Sequence, residues 1–276
     1  MSDEPLVVKA MAFNIRLSRA NDGPDQWDNR KQLVAEIIRR FGGDVIGVQE
    51  AWPEQIAYFQ SQFSDYGILS RTRDDNPEWG EAVPVLWQAK RWQPDPDEQG
   101  TFWLSDTPGV PGSKTFGNAL PRIVTWVRLI RSGTGHGVYV YNTHFSHISE
   151  WARRQSAAML VHRIAHRRYP DPVIVLGDFN AGEPSETMQC LKGEVPGAPF
   201  RLVDTFRAMH PHAQLVGTYH YFQGSRTGDK VDYVLTTPDA TVLEAQILYD
   251  QEDGRYPSDH YPVTAIVRFP AATGSG

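Results

Sequence analysis

Cysteine is nearly absent from the chain: Cys190 is the single one in 276 residues. One thiol closes no intramolecular disulfide and cannot build a cysteine-rich zinc site, so the fold must rest on its core and suits a reducing compartment. Long apolar runs are missing too, and none approaches the roughly 20 residues that span a bilayer. The N-terminal Met1-Ser2-Asp3-Glu4-Pro5 is acidic where a secretory leader would be basic. Both features point to a cytoplasmic protein with no membrane partner and no evident obligate protein partner. Excess positive charge is also lacking. With 27 Lys and Arg against 33 Asp and Glu, the net charge of −6 argues against a chain-wide grip on nucleic acid, though a local basic groove stays open. No Gly-x-Ser-x-Gly occurs, which disfavours a serine hydrolase. The loop Gly109–Thr115 fails as a phosphate loop because Ser113 stands where a glycine must precede Lys114.

What is present is ordinary globular composition, 40% hydrophobic and 22% charged, in a chain long enough to bury a full core. There is no long linker and no repeat, so a single domain over residues 1–276 is expected, with its core at about 8–268 and a flexible tail at 271–276. Strand-like and helix-like segments alternate along it. Leu6–Phe13 reads as an apolar strand ending at Asn14, and Arg30, Leu33, Val34, Ile37, Ile38 and Phe41 repeat at helical spacing until Gly42 and Gly43. Asp44–Val48 reads as a buried strand delivering Gln49 and Glu50, and Trp52-Pro53 opens a helix through Phe59. Segments 122–129 and 138–144 form a predicted hairpin around Ser132–Gly135. A helix from about Glu150 to Arg168, capped by Ser149, leads to the strand Val173–Asn180.

The chemistry sits at the ends of those strands. Asn14, Glu50, His144, Asp178, Asn180, Asp232, Asp259 and His260 each adjoin an apolar segment, where an unpartnered polar group would cost several kcal/mol. Strand alternation predicts Asp178 and Asn180 on one face, and Asn142 and His144 on one face. A shared polar crevice at strand ends is where ligands bind in α/β folds.

The runs Phe13-Asn14-Ile15-Arg16, Val48-Gln49-Glu50, Asn142-Thr143-His144, Gly177-Asp178-Phe179-Asn180, Val231-Asp232-Tyr233 and Ser258-Asp259-His260 resemble the endonuclease/exonuclease/phosphatase superfamily of DNase I-like phosphoesterases. The order matches from about residue 8 to 268. Trp27–Lys31, Thr101–Ser105, Pro121-Arg122, Gly217–His220 and Gly254–Pro257 add a resemblance to a small bacterial subgroup whose substrate is unassigned. The resemblance implies a four-layer α/β sandwich, two mixed sheets face to face with helices outside. It implies Glu50 as the principal Mg²⁺ or Mn²⁺ ligand, with Asn14 and Asp259 near the metal or its waters, a hard-oxygen set that suits either ion. Asp178 would orient and deprotonate water, while Asn180 and His144 bond the phosphoryl oxygens. His260, paired with Asp232, would be the general acid/base. Where subgroup members carry an acidic residue before a histidine, Ser146 precedes His147 here, and the segment at Gly80–Pro84 keeps Glu81 while lacking a tyrosine and a serine.

Among substrate contacts, Arg122 suits phosphate by its planar fork, although a strand-edge ion pair would account for it as well. Arg73 and His220 are expected second-tier contacts, and Asn142 is open to a direct contact or a backbone-ordering role. Trp79, Trp87 and Trp103 are open to core packing or to lining a cleft. His162 and His166, with the arginines of their helix, read as a solvated basic face. The expected activity is metal-dependent hydrolysis of a phosphodiester or phosphomonoester in a phosphorylated small molecule or sugar phosphate. The alternatives are a nuclease on DNA or RNA and a non-catalytic binding module on the same fold.

Overall fold

A computed structural model describes residues 5–270, so the expected tail at 271–276 lies outside the described residues. The strands in chain order are β1 (Leu6–Asn14), β2 (Val45–Gln49), β3 (Tyr66–Leu69), β4 (Val85–Gln88), β5 (Trp92–Trp103), β6 (Ile123–Arg131), β7 (Gly137–His144), β8 (Val173–Asp178), β9 (Val203–Asp204), β10 (Asp232–Thr236), β11 (Thr241–Ile247) and β12 (Val263–Phe269). The helices are α1 (Trp27–Phe41), α2 (Pro53–Gln62), α3 (Glu150–Ala165), α4 (Glu186–Leu191) and α5 (Thr205–Met209). Two six-stranded sheets result, ordered β11-β12-β1-β2-β4-β3 and β5-β6-β7-β8-β10-β9.

Each sheet contains a single parallel pair, β1 with β2 and β7 with β8, and its other pairings are antiparallel. A parallel pair needs a crossover, and α1 and α3 supply it. The strands of both pairs are buried along nearly their whole length, and their apolar runs reflect cover on both faces. One apolar cluster, with Val8, Val45, Val140, Ile174 and Val267, fills the space between the sheets. A second packs α3 onto the outer face of the second sheet, and a third packs α1 and α2 onto the first. This is the expected four-layer α/β sandwich. Among the described residues no helix is long and apolar enough to cross a membrane.

Local chemistry sets the boundaries. Gly42 ends α1 in the left-handed conformation, φ 58°, its N–H bonding the Ile38 carbonyl. The Ser149 hydroxyl caps α3 by accepting from the Ala152 N–H at 3.1 Å. That helix stops at Ala165, three residues before the expected Arg168, because the Arg167 guanidinium folds back onto the Ile164 and Asp171 carbonyls. β5 carries Pro94 and Pro96 on the outer edge of its sheet, with a register shift between Pro94 and Gln99, the place where a strand tolerates proline.

Candidate active site

The C-terminal ends of both parallel pairs open into one crevice of about 500 Å³. β1 ends in Asn14, the residue after β2 is Glu50, β7 ends in His144, and β8 ends in Asp178. Asp232, at the start of β10, lies opposite Asp178 in the antiparallel ladder. Asp259 and His260 arrive on the segment before β12. Glu50 (φ 62°) and Asn180 (φ 49°) both adopt the left-handed region, uncommon for residues other than glycine and a frequent mark of functional loops. Asn180 thus reaches the crevice through a turn beyond the strand, not through the pleat that alternation suggested. It is held there by its own N–H on Asp178 Oδ1 (2.9 Å) and its side-chain amide on the Phe145 carbonyl (3.2 Å).

Asn14 ties the two sheets together at the floor. Its amide nitrogen donates to Glu50 Oε1 at 3.1 Å and to Asp178 Oδ2 at 3.0 Å, while its oxygen accepts from the Arg16 N–H at 3.0 Å. Two imidazoles face the same Asp178 oxygen, His144 Nε2 at 3.5 Å and His260 Nε2 at 3.8 Å. The other nitrogen of His260, Nδ1, is 2.8 Å from Asp232 Oδ2. Burial, then the nearby Asp232 charge, pushes Asp178 up to about 7. Burial also opposes a charge on His260, but Asp232 and Asp178 outweigh it and hold the imidazole well above its ordinary range. His144 goes the other way: burial and the Arg122 charge keep it well below that range, hence neutral. Two histidines shifted in opposite directions therefore face one carboxyl, His260 upward and His144 downward.

The opposite wall is built on Arg122, only 4% exposed. Its Nη2 lies 2.9 Å from His147 Nδ1, whereas Nη1 is buried with no hydrogen-bond partner. Burial lowers its pKa to about 10, with the Glu81 carboxylate working against the fall. Glu81 is fixed in turn by a two-pronged pair with Arg73, at 2.6 and 2.8 Å. A cation aimed at a crevice with one donor unused is suited to an anionic oxygen.

The donor set fits a divalent cation. Glu50 and Asp259 both line the crevice, and Asp259 titrates above the usual carboxylate range because burial disfavours its charge and Glu50 repels it. Each Glu50 oxygen accepts one hydrogen bond, Oε1 from Asn14 and Oε2 from the Leu17 N–H at 3.0 Å, which leaves lone pairs for a hard ion. Among the described residues, Asp178, Asp232 and His260 also converge within 4.8 Å of one another. In that trio, however, the His260–Asp232 hydrogen bond already occupies one imidazole nitrogen.

Other expected contacts lie elsewhere. Asn142 is fully buried between the sheets. It donates to the Val48 and Pro84 carbonyls, each at 2.8 Å, and accepts from Gln49 Nε2 at 2.6 Å, so both of its N–H donors are spent between the sheets, away from the crevice lining. His220, also expected at the substrate, instead stacks on Tyr261 with ring centroids 3.9 Å apart and accepts from the Gly224 N–H. Arg73 stands behind the crevice, its fork taken up by Glu81. Trp87 and Trp103 are core residues, the latter donating to the Arg73 carbonyl at 2.6 Å, and Trp79 packs outside the crevice on Trp52. Sequence reasoning passed over His147, Tyr219 and Tyr221 as crevice residues. It also missed Arg30, whose buried guanidinium bonds the carbonyls of Ile15, Arg16, Asp25 and Pro257 and so ties the β1–α1 connection to the segment before β12. Its place in the Trp27–Lys31 run and on the inner face of α1 were the signals that could have found it.

The sequence profile of the Endonuclease/Exonuclease/phosphatase family matches residues 11–260, a span that holds the whole constellation from Asn14 to His260. The chain belongs to that family. Endonuclease/exonuclease/phosphatase proteins are hydrolases of phosphoesters. The fold is shared with an endonuclease/exonuclease/phosphatase family protein of Bacteroides thetaiotaomicron, 26% identical, with a TM-score of 0.86 over 96% of this chain and 99% of that one. It is also similar to a mannosyl-6-phosphatase of the same species, 26% identical, with a TM-score of 0.84 over 94% of this chain and 99% of that one. An uncharacterised protein of Acanthamoeba polyphaga mimivirus is 24% identical over 166 residues, 57% of this chain and 60% of the viral protein's length.

Proposed function

We propose that this endonuclease/exonuclease/phosphatase protein is a divalent-metal-dependent phosphoesterase that hydrolyses a small phosphorylated molecule, a sugar phosphate in the first instance, by in-line attack of water. The observation that carries the reading is the pairing of Asp178 Oδ2 with His260 Nε2, 3.8 Å apart at the crevice floor. Both groups face the crevice, one suited to accept a proton and the other to donate one, which are the two roles that hydrolysis by water asks of side chains. The likeness to a mannosyl-6-phosphatase supports a sugar phosphate over a polymer.

Asp178, poised near 7, accepts the proton of the attacking water. As the water oxygen bonds to phosphorus, the neutral His144 and the Asn180 amide donate to the phosphoryl oxygens, and Arg122 Nη1 gains the partner it lacks. The bond from phosphorus to the alcohol oxygen breaks, and His260, charged and held by Asp232, supplies the proton that the departing alkoxide needs. Glu50 and Asp259 would hold Mg²⁺ or Mn²⁺, with Asn14 orienting Glu50. When bound, the ion supplies Lewis-acid stabilisation of the phosphoryl charge.

The test is a hydrolysis panel with Mg²⁺ and Mn²⁺ on a sugar phosphate, an aryl phosphodiester, plasmid DNA and single-stranded RNA, beside Glu50→Ala and His260→Ala. Cleavage of the small esters, lost in both variants and in excess chelator, is the expected result. Nicking of plasmid or RNA that both variants abolish would replace it with the nuclease reading, and small-ester cleavage undiminished by chelator would remove the metal.

A further inference from the structure

The crevice wall beside His260 is aromatic and takes no part in the steps above. Tyr219 lies against the His260 imidazole with ring centroids 4.7 Å apart, and Tyr221 lies against Tyr219 at 4.3 Å. Both tyrosines line the crevice with Asp178 and Asp259. Main-chain bonds register this wall to the catalytic segment: the His220 N–H donates to the Asp259 carbonyl and the Tyr261 N–H to the Thr218 carbonyl, each at 2.8 Å.

Tyr221 itself is held in an unfavourable way. It and Phe222 are consecutive non-glycine residues in the left-handed region, φ 51° and 61°, a conformation with a steric penalty at each. The turn is fixed on its far side, where the Phe222 ring meets the Arg30 guanidinium at 5.6 Å and the Gln223 N–H donates to the His220 carbonyl at 2.8 Å. Yet the Tyr221 side chain gains little cover from it. At 67% it is the most exposed large apolar side chain among the described residues. The ring of Tyr219 is inclined at 47° to that of Tyr221, and the exposure of Tyr221 leaves its ring accessible at the lip of the crevice.

We propose that Tyr221, backed by Tyr219, is the platform for the leaving group, and that it selects phosphoesters whose alcohol carries a ring over acyclic ones. This rests on the phosphoesterase reading, because His260 protonates the departing oxygen and the remainder of the alcohol must then continue along the wall that starts at His260. A tyrosine face accepts either the apolar face of a pyranose or an aromatic ring, and both present the same flat apolar surface.

The experiment compares wild type, Tyr221→Gly and Tyr221→Phe on glucose 6-phosphate, phenyl phosphate and glycerol 1-phosphate in Mg²⁺. Glycine occupies positive φ freely, so it removes the ring without straining the turn. Taking the variant-to-wild-type ratio for each substrate cancels differences in leaving-group reactivity. Tyr221→Gly is expected to lower kcat/KM for at least one ring-bearing ester roughly five- to tenfold more than for glycerol 1-phosphate, through KM, with Tyr221→Phe restoring it. The arm that responds identifies the ring as pyranose or aromatic. An equal effect on all three esters, or none, overturns the proposal. Calorimetric binding of benzylphosphonate against ethylphosphonate decides it independently of turnover. Preference for the benzyl compound that vanishes in Tyr221→Gly supports the platform even if no ester is hydrolysed, an outcome that would refute the phosphoesterase reading alone. Equal affinity for the two phosphonates counts against the platform.

Discussion

Asn142 gives the sharpest separation between scaffold and substrate contact. Truncation to alanine removes three buried hydrogen bonds, to Gln49, Val48 and Pro84. At about 1 kcal/mol each they amount to ~3 kcal/mol. The space left between tightly packed sheets adds about 1 kcal/mol more, for a total of about 4 out of the 5–15 kcal/mol typical of a folded domain. For a chain of this size that corresponds to a fall in Tm of about 10 °C. Asn142→Asp should be at least as damaging, since a carboxylate would then face two carbonyl oxygens that now receive N–H donors. The assay is thermal unfolding followed by circular dichroism, joined to Michaelis kinetics at a temperature where both variants are folded. KM close to wild type with the Tm lowered fits a purely structural amide. Wild-type Tm combined with a strongly raised KM would refute the reasoning and return Asn142 to the substrate.

His260→Ala and Asp178→Ala should each lower turnover by at least ~100-fold, the usual scale for a proton-transfer or water-positioning group; near-normal turnover in the folded variants would undo the assignment. Burial pushes His220 down to about 4, with the His260 charge adding to the fall. Its neutral form therefore contributes stability that is complete above about 6.5, its unfolded value, and is lost as pH falls through about 4, a difference of up to ~3 kcal/mol. Urea titrations of wild type and His220→Phe at several pH values should show a shallower loss in the variant across that window, and parallel curves would contradict the burial argument. Arg30→Lys keeps the charge but cannot reach four carbonyls at once, so turnover should drop about tenfold and the 15–25 segment should become more susceptible to protease, the latter read by peptide mapping.

The elements legible from sequence are those whose hydrophobic pattern needs no partner to interpret. β1, β2, β7 and β8 are continuous apolar runs because both their faces are covered, and α1 shows a clean stripe closed by Gly42. β5 and β11 escaped notice for the opposite reason. Edge strands are half solvated, and in β5 two prolines disguise a strand that pairs on one side only. The polar side chains that gather at the crevice were readable because a polar group at the end of a buried strand is costly to keep unless a partner or a ligand satisfies it. Asn142 stayed open between a direct contact and a backbone-ordering role because a polar residue two positions before His144 shares its face, and nothing local tells that the deeper of the two is sealed beneath the opposite sheet. Tyr221 left no periodic signal at all, since its exposure arises from a turn conformation that its residue type does not favour.

The first strand and the last are neighbours, with Leu6 paired to Phe269 and Ala12 to Val263. Asn14 leaves the end of β1, and Asp259 and His260 enter just ahead of β12, so the seam that joins the two ends of the chain also assembles the site. A chain growing from the ribosome can lay down α1 and the centre of both sheets while lacking its charged histidine. The strand that follows His260 pairs with β1 across more than 250 residues of sequence, a contact of high loop-closure cost. The crevice is thereby complete only once β12 has closed on β1, and loosening that one pairing would carry Asp259 and His260 away from Asn14 and Asp178.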